Sequence, residues 1–255
     1  MTNDLFDVSG RNILVTGGTK GIGEMIVRGF HAAGATVWIS ARNVGECRGL
    51  AADLGERAVA LPGDVSTQDG CRKLADDMRD HVDRLDVLIN NAGTTWGAPI
   101  EEYPDAGWDK VLAVNLKGPF HLAVACLDLL RAAASPEHPA RIINLGSVDG
   151  MHVPMWESYA YSASKAAVHQ LTRHLAGRLA RDHITVNAIA PGFVESRMME
   201  FAFAAGRDEL DQATPLGRTG LPSDMAGTAI FLASRASSWM TGVVLPVDGG
   251  YVTLT

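Results

Sequence analysis

Seven short apolar runs recur along the chain: Ile13–Thr16, Thr36–Ser40, Ala58–Leu61, Asp86–Asn90, Arg141–Leu145, Ile184–Ile189 and Val243–Val247. Each is continuous rather than alternating, the pattern of strands covered on both faces. Between them lie longer stretches with helical spacing and start signals, such as Thr67 ahead of Asp69–His81 and Ser223 ahead of Asp224–Ser234. Strand and helix alternating this often predicts an α/β fold, a Rossmann-type doubly wound parallel sheet of about seven strands with helices on both faces. No linker or internal repeat interrupts residues 1–255, so a single domain is expected. The stretch 193–221 breaks the alternation. It is long for a connection inside a compact domain, and a functional lid is expected there.

Composition narrows the partners. Of 255 residues, 47% are hydrophobic and 20% charged, enough apolar chain for a real core. The net charge of −7 argues against nucleic acid, whose phosphates call for clustered Lys and Arg. No apolar run reaches the roughly 18 residues needed to cross a bilayer, so no membrane partner is expected. Met1-Thr2-Asn3-Asp4 is polar and acidic, unlike a signal peptide. Cys47, Cys71 and Cys126 are odd in number and far apart, which reads as reduced thiols in a cytoplasmic protein without a metal cage.

The first chemical signal follows the first predicted strand: Thr16-Gly17-Gly18-Thr19-Lys20-Gly21-Ile22-Gly23. Glycines let the backbone turn tightly and approach a ligand, and the following helix N-terminus offers free N–H groups to a pyrophosphate. The lysine precedes the final glycines, so this is not a P-loop. At the end of the second strand an NAD site usually carries an acid for the ribose 2′-hydroxyl. Here Ser40 is followed by Ala41, Arg42 and Asn43, with no carboxylate expected nearby. Arg42 and Lys20 together could neutralise a 2′-phosphate, which favours NADP(H) over NAD(H). Either cation alone is more often an ordinary surface charge.

The second signal is Ser147 with Tyr161-Ser-Ala-Ser-Lys165. Tyr161 and Lys165 are four apart and share one helix face. A tyrosine titrates near 10, and a lysine ammonium beside it is expected to bring that value down toward the working range of an acid–base catalyst. Tyr161 would exchange a proton with a carbonyl or alcohol oxygen, and Ser147 could hydrogen-bond the same atom. Tyr159 has Ala163 four residues on and is a decoy.

Thr16–Gly23, Asp64-Val65, Asn90-Asn91-Ala92-Gly93, Asn115, Ser147, Tyr161 with Lys165, Pro191-Gly192 and Leu245–Gly250 occur in this order over nearly the whole chain. In that order they resemble the classical short-chain dehydrogenase/reductase family. Asn90–Ala98, Tyr103-Pro104, Trp108 and Ala160-Tyr161 are most similar to its β-ketoacyl reductase branch of the rhamnolipid-pathway type. The resemblance implies a catalytic tetrad of Asn115, Ser147, Tyr161 and Lys165, with Asn115 holding a water in a proton relay. It also implies cofactor contacts from Gly17, Thr19, Lys20, Gly21, Ile22, Gly23, Arg42 and Asn43, and from Asp64 and Val65 at adenine. Asn91, Ala92 and Gly93 would line the adenosine ribose and stabilise the sheet. Tyr161 and Lys165 would meet the nicotinamide ribose, and Pro191, Gly192 and Val194 the nicotinamide. The helices of 105–131 and 159–181 resemble those through which family members form homodimers or homotetramers.

Trp108, Val111, Leu112 and Asn115 follow i, i+3, i+4, i+7, which sets Asn115 on a buried stripe where its amide needs partners. Pro119 has no N–H for the carbonyl of Asn115, and would leave it free for a water or for Lys165. Phe193, Met198, Met199, Phe201 and Phe203 of the expected lid, with Met151, Met155 and Trp156, would suit an apolar or acyl substrate, or simply pack the lid down. His152 could touch substrate or only solvent. The leading reading is an NADP(H)-dependent carbonyl reductase or alcohol dehydrogenase. A non-catalytic NADP(H) sensor is the second, and an NAD(H)-dependent alcohol, sugar or steroid dehydrogenase stays open. A serine hydrolase is disfavoured, because Leu145 breaks the Gly-x-Ser-x-Gly elbow at Ser147.

Overall fold

The computed structural model describes residues 5–253; the polar segment Met1–Asp4 lies outside them. Seven strands form one parallel sheet: β1 (Asn12–Thr16), β2 (Thr36–Ser40), β3 (Ala58–Ala60), β4 (Val87–Asn90), β5 (Ala140–Leu145), β6 (Ile184–Pro191) and β7 (Val244–Val247). Their order is β3-β2-β1-β4-β5-β6-β7, so successive strands run outward in both directions from the β1/β4 pair. The expected runs all appear as strands, with ends moved by at most two residues.

Continuous apolar strands need cover on both sides, and both are covered. Leu14, Trp38, Leu88, Ile142 and Val186 face α3 (Gln68–Arg79), α5 (Gly118–Ala125), α6 (Leu127–Ala133) and α7 (Tyr159–Leu179) in one core layer. Ile13, Val15, Val37, Ile39, Ile89 and Ile189 face α1 (Gly21–Ala32), α2 (Val44–Leu54) and α10 (Pro222–Ala233) in the other. Fully burying one such side chain contributes about 1.5–3 kcal/mol. The three cysteines are free and buried. No single helix among the described residues is long and apolar enough to cross a membrane.

Several local expectations change. The helix expected over 105–131 is broken: α4 (Asp105–Leu112) runs into a π-helical turn at Ala113–Lys117, then α5 and α6. Pro119 sits in the first turn of α5, directly after the π-helical turn. Trp108 is half out of the expected stripe at 36% exposure, while Val111 and Asn115 are buried. Ser223 does not cap α10. Leu221 does, because Pro222 takes the first helical position and the Asp224 carboxylate accepts the Leu221 N–H at 2.8 Å. The stretch 193–221 is not irregular throughout: it carries α8 (Glu200–Ala205) and α9 (Arg207–Gln212). Its two ends are pinned together by a bridge between Val194 and Gly220.

Candidate active site

A cavity of about 1150 Å³ opens at the carboxyl ends of the strands, beside the β1/β4 pair. This is the crevice where doubly wound sheets hold ligands. Every residue expected at the site lines it except Asn115, which is buried behind the wall.

At one end the β1–α1 loop forms a glycine cradle. Gly17 has φ +63°, a conformation that side chains resist. A Cβ on Gly23 would lie 2.1 Å from the Gly17 carbonyl oxygen, so the loop closes on itself only without a side chain there. Asn91 fixes the loop from β4, donating to the carbonyls of Thr16 at 2.9 Å and Gly17 at 3.0 Å. The N-cap of α1, Lys20, makes no side-chain cap, so the first N–H groups of α1 face the cavity without one. The Ser40 hydroxyl at the end of β2 is buried without a hydrogen-bond partner among the described residues and lines the same cavity. Loop, helix end and orphaned hydroxyl fit a dinucleotide.

The expectation that no carboxylate stands near the two cations is wrong. Glu46, brought in by the first turn of α2, places Oε1 2.6 Å from Lys20 Nζ. Its other oxygen accepts from the Thr19 hydroxyl at 3.2 Å. Arg42 is exposed at the cavity edge, with no ion pair among the described residues. The Asp64 carboxylate turns to the Ser66 N–H at 2.9 Å, at the rim.

At the other end Ser147 follows β5, and Tyr161 and Lys165 share the first turns of α7. Lys165 Nζ lies 5.5 Å from the centre of the Tyr161 ring and donates to the Leu145 carbonyl at 2.6 Å. Burial pushes the Tyr161 phenol up to about 12, against the opposing hydrogen bond from Ser147. Burial pushes Lys165 down to about 8. The expected lowering of Tyr161 by Lys165 is therefore not met by the protein's own groups: loss of water around the phenolate dominates. Tyr159 turns away, donating to Glu157 at 3.0 Å.

Asn115 lies in the π-helical turn, and its amide is fully used. It accepts from the Thr94 N–H at 2.8 Å and donates to the Thr94 carbonyl at 2.9 Å and the Ser164 hydroxyl at 3.0 Å. Ser164 in turn donates to the Tyr161 carbonyl at 2.7 Å. Asn115 thus ties the loop after β4 to the helix that carries Tyr161.

Three neighbours escaped the sequence reading. His169 is buried and lies one turn beyond Lys165. Its Nε2 accepts the Ser147 N–H at 3.4 Å, and burial pushes it down to about 4, so it stays neutral. Asp149 lines the cavity two residues after Ser147, with its carboxyl raised by burial and 3.5 Å from His152 Nε2. His152 is packed edge-on against Tyr251 rather than solvated. Glu46 is the third. The one sequence signal for it was its place three residues after the helix-capping Asn43.

Over the Ser147–Tyr161 end hang Trp156, Phe193, Met198, Met199 and Phe201, while Met151 and Met155 point outward. Phe193, Ala202 and Leu210 also form a small core with Trp156, Met199, Phe203 and Tyr251, so part of this apolar set packs the 193–221 stretch down.

The family model described as enoyl-(acyl carrier protein) reductase matches residues 17–252. The rhamnolipids biosynthesis 3-oxoacyl-[acyl-carrier-protein] reductase of Pseudomonas aeruginosa is 47% identical over 250 residues, covering 96% of this chain and 98% of that one. Galactitol 2-dehydrogenase (L-tagatose-forming) of Cereibacter sphaeroides is 38% identical over 254 residues, 97% of each. Among solved structures, the RhlG/NADP active-site complex of Pseudomonas aeruginosa superposes with a TM-score of 0.93 at 45% identity, over 97% of this chain and 98% of that one. A short-chain type dehydrogenase/reductase from Mycobacterium marinum gives 0.91 at 31% identity, over 98% and 99%. With the fold, the cavity and these matches together, the chain belongs to the short-chain dehydrogenase/reductase family of oxidoreductases.

Proposed function

We propose that this oxidoreductase uses NADP(H) to interconvert a ketone or ketoacyl carbonyl and a secondary alcohol, with Tyr161 as the acid–base group. The observation that carries the reading is the placement of Ser147, Tyr161 and Lys165 at one end of the same cavity whose other end is the glycine cradle. The cradle and the α1 N-terminus would hold the pyrophosphate, Ser40 and Arg42 the 2′-phosphate end, and Pro191–Val194 the nicotinamide. Bound there, the nicotinamide supplies or accepts the hydride.

The chain's own work is then on the oxygen. A phenol held up to about 12 keeps its proton at neutral pH, which is the form that donates to a carbonyl oxygen during reduction. Ser147 steadies that oxygen, and His169, as a neutral acceptor, positions the Ser147 backbone. Lys165, through the Leu145 carbonyl, and the Asn115–Ser164 bridge hold Tyr161's helix against the cavity wall. The 193–221 stretch acts as the substrate lid and excludes water. Among the relatives are a 3-oxoacyl-[acyl-carrier-protein] reductase and a galactitol 2-dehydrogenase. The apolar roof over Tyr161 favours the acyl or alkyl ketone side of that range.

A cytoplasmic homodimer or homotetramer completes the reading. Phe120 and Val124 leave α5 at 41% and 48% exposure, an apolar pair for a second copy. The reading is tested by NADPH oxidation across alkyl ketones, ketoacyl thioesters and keto sugars. Arg42 supplies the cofactor half of that test: Arg42→Ala should weaken NADPH by about tenfold or more and NADH by much less. Equal losses for both would remove Arg42 from the phosphate site.

A further inference from the structure

Glu46 sits where a cofactor phosphate would be expected to compete for the same donors. Its Oε1 takes Lys20 Nζ at 2.6 Å and Asn43 Nδ2 at 3.1 Å, and its Oε2 takes the Thr19 hydroxyl at 3.2 Å. Two of these donors come from the β1–α1 loop, and the third caps α2. Such a cluster of an ammonium, a hydroxyl and an amide is what a phosphate oxygen seeks, and a carboxylate takes it in the same way. Arg197, from the stretch after β6, adds its positive field to the same carboxylate. All of these residues line the one cavity.

We infer that Glu46 is an internal anion that competes with the 2′-phosphate of the cofactor for Lys20, Thr19 and Asn43, and so limits how strongly this chain prefers NADPH to NADH. The inference rests on the NADP(H) reading above. A phosphate entering here must take Lys20 from Glu46 and then stand beside a carboxylate, while NADH, which has no such phosphate, meets neither obstacle. The alternative role of an acid in this part of the fold is to accept from the ribose 2′-hydroxyl and favour NAD. Glu46 differs from that arrangement in position. It lies in the first turn of α2 rather than at the end of β2, and its carboxylate is already committed to the phosphate-seeking cation.

Glu46 also has a structural part, since its N–H donates to the Asn43 side chain at 3.2 Å in the cap of α2. Glutamine serves the same capping position, so Glu46→Gln removes the charge and keeps the cap. The experiment titrates NADPH and NADH into the wild type and Glu46→Gln at low and high salt, reading nucleotide fluorescence. The variant should bind NADPH about three- to tenfold tighter, as expected of one partly exposed charge, with NADH within about twofold. The gain should shrink at high salt. It should also shrink in a Lys20→Met background, where the contested cation is gone. An equal change for both cofactors, or none, reduces Glu46 to a helix cap and overturns the inference. Weaker NADH binding would make it a ribose acceptor, which overturns it too. A wild type that binds neither nucleotide would instead sink the cofactor reading itself.

Discussion

Tyr161→Phe should lower kcat by about 10²–10⁴-fold while leaving the dissociation constant of NADPH within about threefold of wild type. The ring fills the same space, so the cavity wall survives and only the proton donor is lost. The pH dependence should change with it. In the wild type, carbonyl reduction uses the protonated phenol and the Lys165 ammonium. Lys165 stands at about 8, so the reduction rate should hold through neutral pH and fall as pH rises past that value. Alcohol oxidation uses the phenolate of a group raised to about 12, so its rate should climb toward alkaline pH. The Phe variant should lose that climb. Steady-state rates from pH 6 to 10 in both directions decide the matter, and an undiminished kcat in the variant would take Tyr161 out of the chemistry.

Gly23→Ala should remove cofactor binding almost entirely. The added Cβ meets the Gly17 carbonyl oxygen at 2.1 Å and the Asn91 amide nitrogen at 2.4 Å. The first is backbone, and the second is tied to two carbonyls of the same loop, so neither yields cheaply. Overpacking of this kind costs about 1–3 kcal/mol of stability. The larger effect is on the cradle, because displacing it by about 1 Å moves every N–H aimed at the pyrophosphate, a loss on the order of 10²-fold. Titration of NADPH with a parallel melting curve separates the two effects. Wild-type affinity in the variant would mean that the loop is not the binding element. Gly49 is an internal comparison, since an added Cβ there meets nothing within 4 Å and Gly49→Ala should leave binding intact.

The parts legible in the sequence were those that local chemistry dictates. Strands covered on both sides must be apolar throughout, so β1 to β7 could be read to within two residues at each end. The Gly17–Gly23 loop could be read because side chains at those positions would clash. What could not be read depends on distance in space. Glu46 reaches Lys20 across 26 residues of sequence, and only the packing of α2 beside the β1–α1 loop brings them together. His169 meets the Ser147 backbone through the sheet-to-helix turn after β5 in the same way. The π-helical turn around Asn115 was invisible because an apolar stripe does not distinguish i+4 from i+5 bonding. The sign of the Tyr161 shift is hidden from the sequence for a related reason. Spacing shows that Lys165 is near, but only burial shows that the phenol loses its water, an effect larger than the opposing Ser147 hydrogen bond.

The central claim is hydride exchange between NADP(H) and a carbonyl at Tyr161. The most direct measurement follows deuterium from NADPH labelled at the nicotinamide C4 into a panel of ketones and ketoacyl thioesters. Alcohol product should carry deuterium at the carbinol carbon, in one configuration, with the transfer abolished by Tyr161→Phe. Tight binding of NADPH with no label transferred to any carbonyl would contradict it, and would leave the chain as a protein that holds the nucleotide without using it.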